Sequence, residues 1–207
     1  MASIYDLKPR FQGILRPVLG WLARRRVTPN SITLIAIAGS IAAGVGVAFA
    51  NRAPALLLIL PAWLFVRMAL NALDGMMARE LHMASRMGTV LNELGDVVSD
   101  LAIYLALVPV CAPARWPIVI FSIGAVLSEM CGVLGVALGS TRRYEGPMGK
   151  SDRAFLVGAL GLVTFFVPRA FAIWPLAFGL AAVLTAATCG NRVRAALREG
   201  SSAPPSS

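Results

Sequence analysis

Residues 71–100 read NALDGMMARELHMASRMGTVLNELGDVVSD. They hold Asp74, Glu80, Glu93, Asp96 and Asp100, half of the ten acidic residues in a chain of 207. Apolar runs over 55–78 and 88–110 overlap the stretch from either side. Acids at membrane depth are costly and usually functional. Their spacing is helical: Asn71, Asp74 and Ala78 follow i, i+3, i+7, and Asn92, Asp96 and Asp100 follow i, i+4, i+8. A short polar turn between two such helices makes them antiparallel neighbours, so their polar faces converge at one end. A pocket of oxygen ligands on helices suits a hard cation such as Mg2+.

The composition agrees with a membrane setting. Charged residues are 14%, against roughly 25% in a soluble domain. Apolar residues are 57% and mean hydropathy is +0.74. Disorder, a collagen-like chain and a disulfide scaffold are excluded. A bilayer-spanning helix takes about 20 mostly apolar residues. Six spans are predicted, over 32–50, 55–78, 88–110, 116–139, 154–167 and 171–190. The expected fold is all-α, a polytopic membrane protein with six transmembrane helices. Cys111, Cys131 and Cys189 stand singly in apolar runs and read as small core residues.

Residues 1–30 form an arm ahead of a 31–190 transmembrane domain, and 191–207 is basic and then a disordered Ser/Pro-rich tail. In the arm, Ile4, Leu7, Phe11, Leu15, Val18 and Leu22 recur at helical steps with basic residues beside them. That pattern predicts an amphipathic helix in the interface plane, kinked or split by Pro9 and Pro17. Ala48-Phe49-Ala50 resembles a signal-peptide cleavage site, but the basic region before the first span is much too long for one.

Lys and Arg set the orientation. Fifteen fall on the side of the arm, the second and fourth connections and the C-terminal end, against Arg52, Arg115 and Arg169 on the other. Both termini are therefore expected in the cytoplasm, and the protein in a bacterial inner membrane. The net charge of +9 reads as a topology signal and a contact surface for anionic lipid. No nucleic-acid partner is expected.

The central stretch can be written Asp74-Gly75-x-x-Ala78-Arg79, then eight residues, then Gly88-x-x-x-Asn92-x-x-x-Asp96. It resembles the signature of the CDP-alcohol phosphatidyltransferase family. Thr28-Pro29-Asn30-Ser31-Ile32-Thr33, at the start of the first span, also looks like that family. The resemblance extends to the arm, the six spans and a polar loop before the fifth. It implies transfer of a phosphatidyl group from a CDP-alcohol, usually CDP-diacylglycerol, to an alcohol, with release of CMP. It implies Mg2+ or Mn2+, one or two ions, and a homodimer in the bilayer. By resemblance Asn71, Asp74, Asn92 and Asp96 occupy metal-ligand positions, and Asp74 and Asp96 are the catalytic pair, with Asp96 the general base. Gly75, Ala78, Arg79 and Gly88 are the nucleotide-binding residues.

Two positions depart from the family. Asn71 and Asn92 stand where Asp is usual. An amide oxygen can ligate Mg2+ but brings no charge, so the departures favour one ion over two and point to a variant branch. Glu93 and Asp100 are placed to help.

Bland roles compete at several positions. Gly75 and Gly88 also suit close helix packing, and Arg79 and the Lys150-Ser151-Asp152-Arg153 run also suit topology charges. With Arg142 and Arg143, that run could bind an anionic acceptor or the donor phosphate. Asp152 could instead pair with an arginine. Glu129 falls mid-span, facing the cavity or a partner helix. Arg67 is expected to pair with an acid inside the bundle, His82 to be solvated, and Met76, Met77, Met83 and Met87 to pack. A non-catalytic lipid- or nucleotide-binding relative is the alternative, on the two Asn positions. A small transporter rests only on generic features.

Overall fold

The computed structural model describes residues 4–200. The tail expected at 201–207 lies outside them, as do the side chains of Ile4 and Leu7. Seven α-helices run through the described residues, with no strand among them. They are α1 (Ile4–Arg24), α2 (Pro29–Val47), α3 (Ile59–Glu80), α4 (Arg86–Leu105), α5 (Arg115–Ala137), α6 (Lys150–Phe166) and α7 (Trp174–Gly200). Short 3-10 turns precede α3, α5 and α7, with Pro54, Pro113 and Pro168 in their first two positions. A proline there costs no helical hydrogen bond and sets the entry angle.

Four segments are long and apolar enough to cross a membrane: Pro54–Glu80, Pro29–Val47, Ala112–Ala137 and Pro168–Glu199. The protein is an all-helical integral membrane protein. The other two predicted spans exist as helices with a weaker apolar signal. Glu93, Asp96 and Asp100 break the apolar run of α4, and α6 is 17 residues long. The helix predicted to end at 190 continues as α7 to Gly200.

Helix α2 packs on α3 and α4, α3 on α6, and α5 on α4 and α7. At the end of the bundle away from the α3–α4 turn, Val47, Leu57, Leu60, Ile103, Leu107, Ile118 and Trp174 share one core. Tyr104, Phe121, Phe178 and Trp174 stack in series, with ring centroids 5.0, 5.4 and 5.7 Å apart. Trp174 Nε1 donates to Thr164 Oγ1 at 2.9 Å, so the buried indole is satisfied. Helices α2 and α4 meet at Gly44, where a Cβ would lie 2.2 Å from the Ala102 carbonyl oxygen.

The arm is not split. It is a single helical segment through Pro9 and Pro17. Leu15 and Leu19, either side of Pro17, are both buried in a cluster with Ile32, Leu73, Met76 and Met77. That packing holds the segment together across the missing backbone donor. Val18 of the apolar stripe is exposed, beside the exposed Ile14 and Trp21. Of the methionines, Met76 and Met77 are buried, while Met83 and Met87 are exposed.

Candidate functional site

The site begins with how the α3–α4 turn is made. Helix α3 ends at Glu80, and His82 takes a left-handed conformation with φ of 53° and an exposed side chain. Ser85 then caps α4, its hydroxyl accepting from the Gly88 N–H at 3.0 Å. A Cβ at Gly88 would stand 2.8 Å from Asn30 Oδ1 and 3.0 Å from Ser85 Oγ. Its glycine therefore lets the start of α4 close on the start of α2. Gly75 serves a different contact, since a Cβ there would lie 3.3 Å from the Arg79 guanidinium.

This turn brings the two polar faces onto one cavity of about 1000 Å³. Asn71, Asp74, Gly75, Ala78, Arg79, Gly88, Asn92 and Asp96, all singled out in the sequence, line it. Pro61, Leu64, Phe65, Leu162 and Val163 give it an apolar flank between α3 and α6. Phe65, Leu162 and Val163 are exposed on the bundle surface, so the flank opens sideways.

The acids are buried and each is engaged. Asp74 accepts from the Thr33 hydroxyl of α2 at 3.0 Å. Asp96 Oδ1 accepts from Asn71 Nδ2 at 3.0 Å and from Arg67 Nη2 at 3.2 Å. Its Oδ2 is met by the Lys150 ammonium at the start of α6. Arg67 Nη1 donates to Asp100 Oδ1 at 2.5 Å, and Arg153 Nη2 holds the other Asp100 oxygen at 3.2 Å. Arg67 thus pairs with acids inside the bundle, as expected.

Glu129 of α5 is the second hub. It accepts from Arg142 at 2.9 Å and from Arg153 at 2.9 Å, with Lys150 and Arg192 each at 3.6 Å. Arg142 also donates to Glu93 at 2.6 Å and lies over the Tyr144 ring at 4.6 Å. Burial opposes charge on Arg142, but Glu93 and Tyr144 together more than offset this, so the guanidinium titrates above its ordinary value. Arg143 turns away, to Glu145 and Glu199. Among the described residues Asp152 pairs with no arginine; it accepts from the Gly149 N–H at 2.9 Å and closes the first turn of α6. Removing one partner from so buried a network costs about 3–5 kcal/mol, because the other charge is left stranded.

Sequence reasoning missed Thr33 as the partner of Asp74. Its only signal was its place in the Thr28–Thr33 string. The three cysteines are free; of these expected core residues Cys111 is buried, and Cys131 and Cys189 are half-buried.

The geometry has relatives. A family model described as CDP-alcohol phosphatidyltransferase matches residues 26–188. The chain belongs to the CDP-alcohol phosphatidyltransferase family. Members are phosphotransferases, and the protein is an enzyme of that class. It is 42% identical over 195 residues to inner membrane protein YnbA of Escherichia coli K12, covering 94% of this chain and 96% of that one. It is 30% identical over 213 residues to a phosphatidylinositol phosphate synthase of Streptomyces avermitilis, covering 93% and 82%. In fold it resembles the phosphatidylinositol phosphate synthase PgsA1 of Mycobacterium tuberculosis. The crystal structure of PgsA1 with manganese and citrate superposes with a TM-score of 0.74 at 23% identity, over 91% of this chain and 90% of that one. The structure with CDP-DAG bound gives 0.72, over 91% and 94%.

Proposed function

We propose that this family member transfers a phosphatidyl group from CDP-diacylglycerol to an alcohol and releases CMP, in phospholipid synthesis. One observation carries the reading: the family signature, split between α3 and α4, lines a single cavity with an apolar side opening. The PgsA1 structure with CDP-DAG supports that donor. The diacyl tails would lie along the flank of Pro61, Leu64, Leu162 and Val163, outside which lies lipid.

The residues suit one hard divalent ion better than two. Their donors are all oxygens, which fits Mg2+ or Mn2+. Yet no group of three His, Cys, Asp or Glu able to hold a metal occurs among the described residues, and Asp96 already has donors on both oxygens. Asp74 would hold the ion, with Asn71, Asn92 and Asp96 as further ligands. When bound, the ion neutralises charge on the pyrophosphate.

The chain's own residues do the rest. Arg79 binds a phosphate oxygen of the donor. Gly75 and Ala78 keep the helix face low beneath the nucleotide, and Gly88 opens the start of α4. Thr33 fixes the Asp74 rotamer. Asp96 takes the proton of the acceptor hydroxyl as its oxygen bonds to phosphorus and the phosphorus–oxygen bond to CMP breaks. Lys150 and Arg67 hold Asp96 in place for that transfer.

The reading includes six spans, α4 and α6 among them, with α1 in the interface plane and both termini cytoplasmic. It includes an inner-membrane location, a catalytic domain over 31–190 and a homodimer. The test is CMP release by the purified protein in lipid with CDP-diacylglycerol and Mg2+ or Mn2+, across an alcohol panel. A metal-dependent new lipid supports the reading. Nucleotide binding with no release across the panel would sink it.

A further inference from the structure

The family signature leaves the acceptor open, and the charges around the cavity address it. Four cationic side chains line the cavity: Arg67, Arg79, Arg142 and Lys150. Three of them are matched by carboxylates: Arg67 by Asp96 and Asp100, Arg142 by Glu93 and Glu129, and Lys150 by Asp96 and Glu129. Behind them Arg153 is matched by Asp100 and Glu129, and Arg192 also stands 3.6 Å from Glu129. Among the described residues, Arg79 alone of the four has no carboxylate partner, and the donor pyrophosphate claims it.

We infer that the acceptor is an uncharged alcohol of the glycerol or polyol class, bearing neither phosphate nor carboxylate, and that Glu93 and Glu129 set this preference. The inference rests on the phosphatidyltransferase reading above. A phosphate monoester brings about two negative charges near neutral pH. To bind beside Asp96 it would have to draw Arg142 away from Glu93 or Lys150 away from Asp96. Glu93 would then lose the cation beside it, or buried Asp96 would keep Arg67 as its one cation, an unfavourable exchange. An uncharged alcohol displaces nothing. Its hydroxyls donate to the spare lone pairs of Glu93 and Asp96 and accept from the hydroxyl groups of Tyr144 and Ser151, which also line the cavity. Basic residues in a loop suggest an anion site only while their partners are unknown. Here those partners come from α4, 49 and 54 positions away, and from α5.

The test measures binding and product separately, in nanodiscs holding CDP-diacylglycerol and Mg2+. The probes are glycerol 3-phosphate and glycerol. Wild type is expected to show no saturable binding of glycerol 3-phosphate at millimolar concentration. Glu93→Gln, which frees one side of Arg142, is expected to gain affinity for it by about tenfold or more. Glu129→Gln should gain too, but it strips several buried cations and can fail to fold. Glu93 has a part-exposed side chain and leaves Glu129 in place, so its variant is the deciding one. Saturable wild-type binding of glycerol 3-phosphate, or no gain in Glu93→Gln, overturns the inference. So does a lipid product made from glycerol 3-phosphate in preference to glycerol. Absence of CMP release with either probe counts against the phosphatidyltransferase reading alone, because the binding arm still decides the preference.

Discussion

Asn71 on α3 donates its side-chain amide to Asp96 on α4, 3.0 Å away. A carboxylate in its place would face another carboxylate across the same gap. Such a pair is stable only with a proton or a cation between its members. The amide therefore lets the α3–α4 interface close without one. Asn71→Asp should lower stability by about 1–3 kcal/mol without divalent ions, and Mn2+ should restore it. Thermal unfolding in detergent, with and without Mn2+, reads both effects. Equal stability of the variant and wild type in chelator would remove this account of Asn71.

Asp74 and Thr33 separate a chemical role from a supporting one. Asp74→Ala should cut CMP release by about a hundredfold or more. Thr33→Val removes one hydrogen bond to the same carboxylate and keeps the shape. A net hydrogen bond is worth about 0.5–1.5 kcal/mol, so a loss of roughly two- to tenfold is expected. Initial rates of CMP release at saturating donor make the comparison. Full activity in Asp74→Ala would remove its assigned role, and a Thr33→Val loss as deep as that of Asp74→Ala would make Thr33 more than a support.

Arg67 joins Asp96 and Asp100 from the opposite helix. Arg67→Ala strands both acids in a buried site, at a cost of about 3–5 kcal/mol. Arg67→Lys keeps the charge but cannot fork between two carboxylates, and should recover only part of that loss. Unfolding midpoints of the purified variants give the order wild type, Lys, Ala. A Lys variant as stable as wild type would mean that charge alone suffices.

The helical membrane architecture was legible because apolar runs near 20 residues long have few other solutions. Asp74 and Asp96 were legible because acids are rare in such runs and stood at helical spacing. What the sequence hid was pairing between distant segments. Arg142 and Glu93 are 49 positions apart, and Thr33 and Asp74 are 41 apart. No local period encodes either contact. The packing of Leu15 and Leu19 against α3 was hidden for the same reason. Polar content also explains why α4 is the helix hardest to read as a span: the residues that weaken its apolar signal are those that build the site.

Two glycines test whether the site depends on how closely α2 and α4 approach. At Gly44 a Cβ would meet the Ala102 carbonyl at 2.2 Å, backbone against backbone, with no flexible side chain to yield. Gly44→Ala must push α4 outward, and α4 carries Asn92 and Asp96. It should lose about 1–3 kcal/mol of stability and, in the fraction that folds, CMP release as well. At Gly179 on α7 a Cβ would meet nothing within 4 Å. Gly179→Ala should stay within about 1 kcal/mol of wild type, on the stable side if helix propensity decides. Unfolding midpoints measured side by side, with CMP release on the same preparations, separate the two. If Gly44→Ala kept both wild-type stability and wild-type turnover, the close crossing of α2 and α4 would not be what positions Asp96.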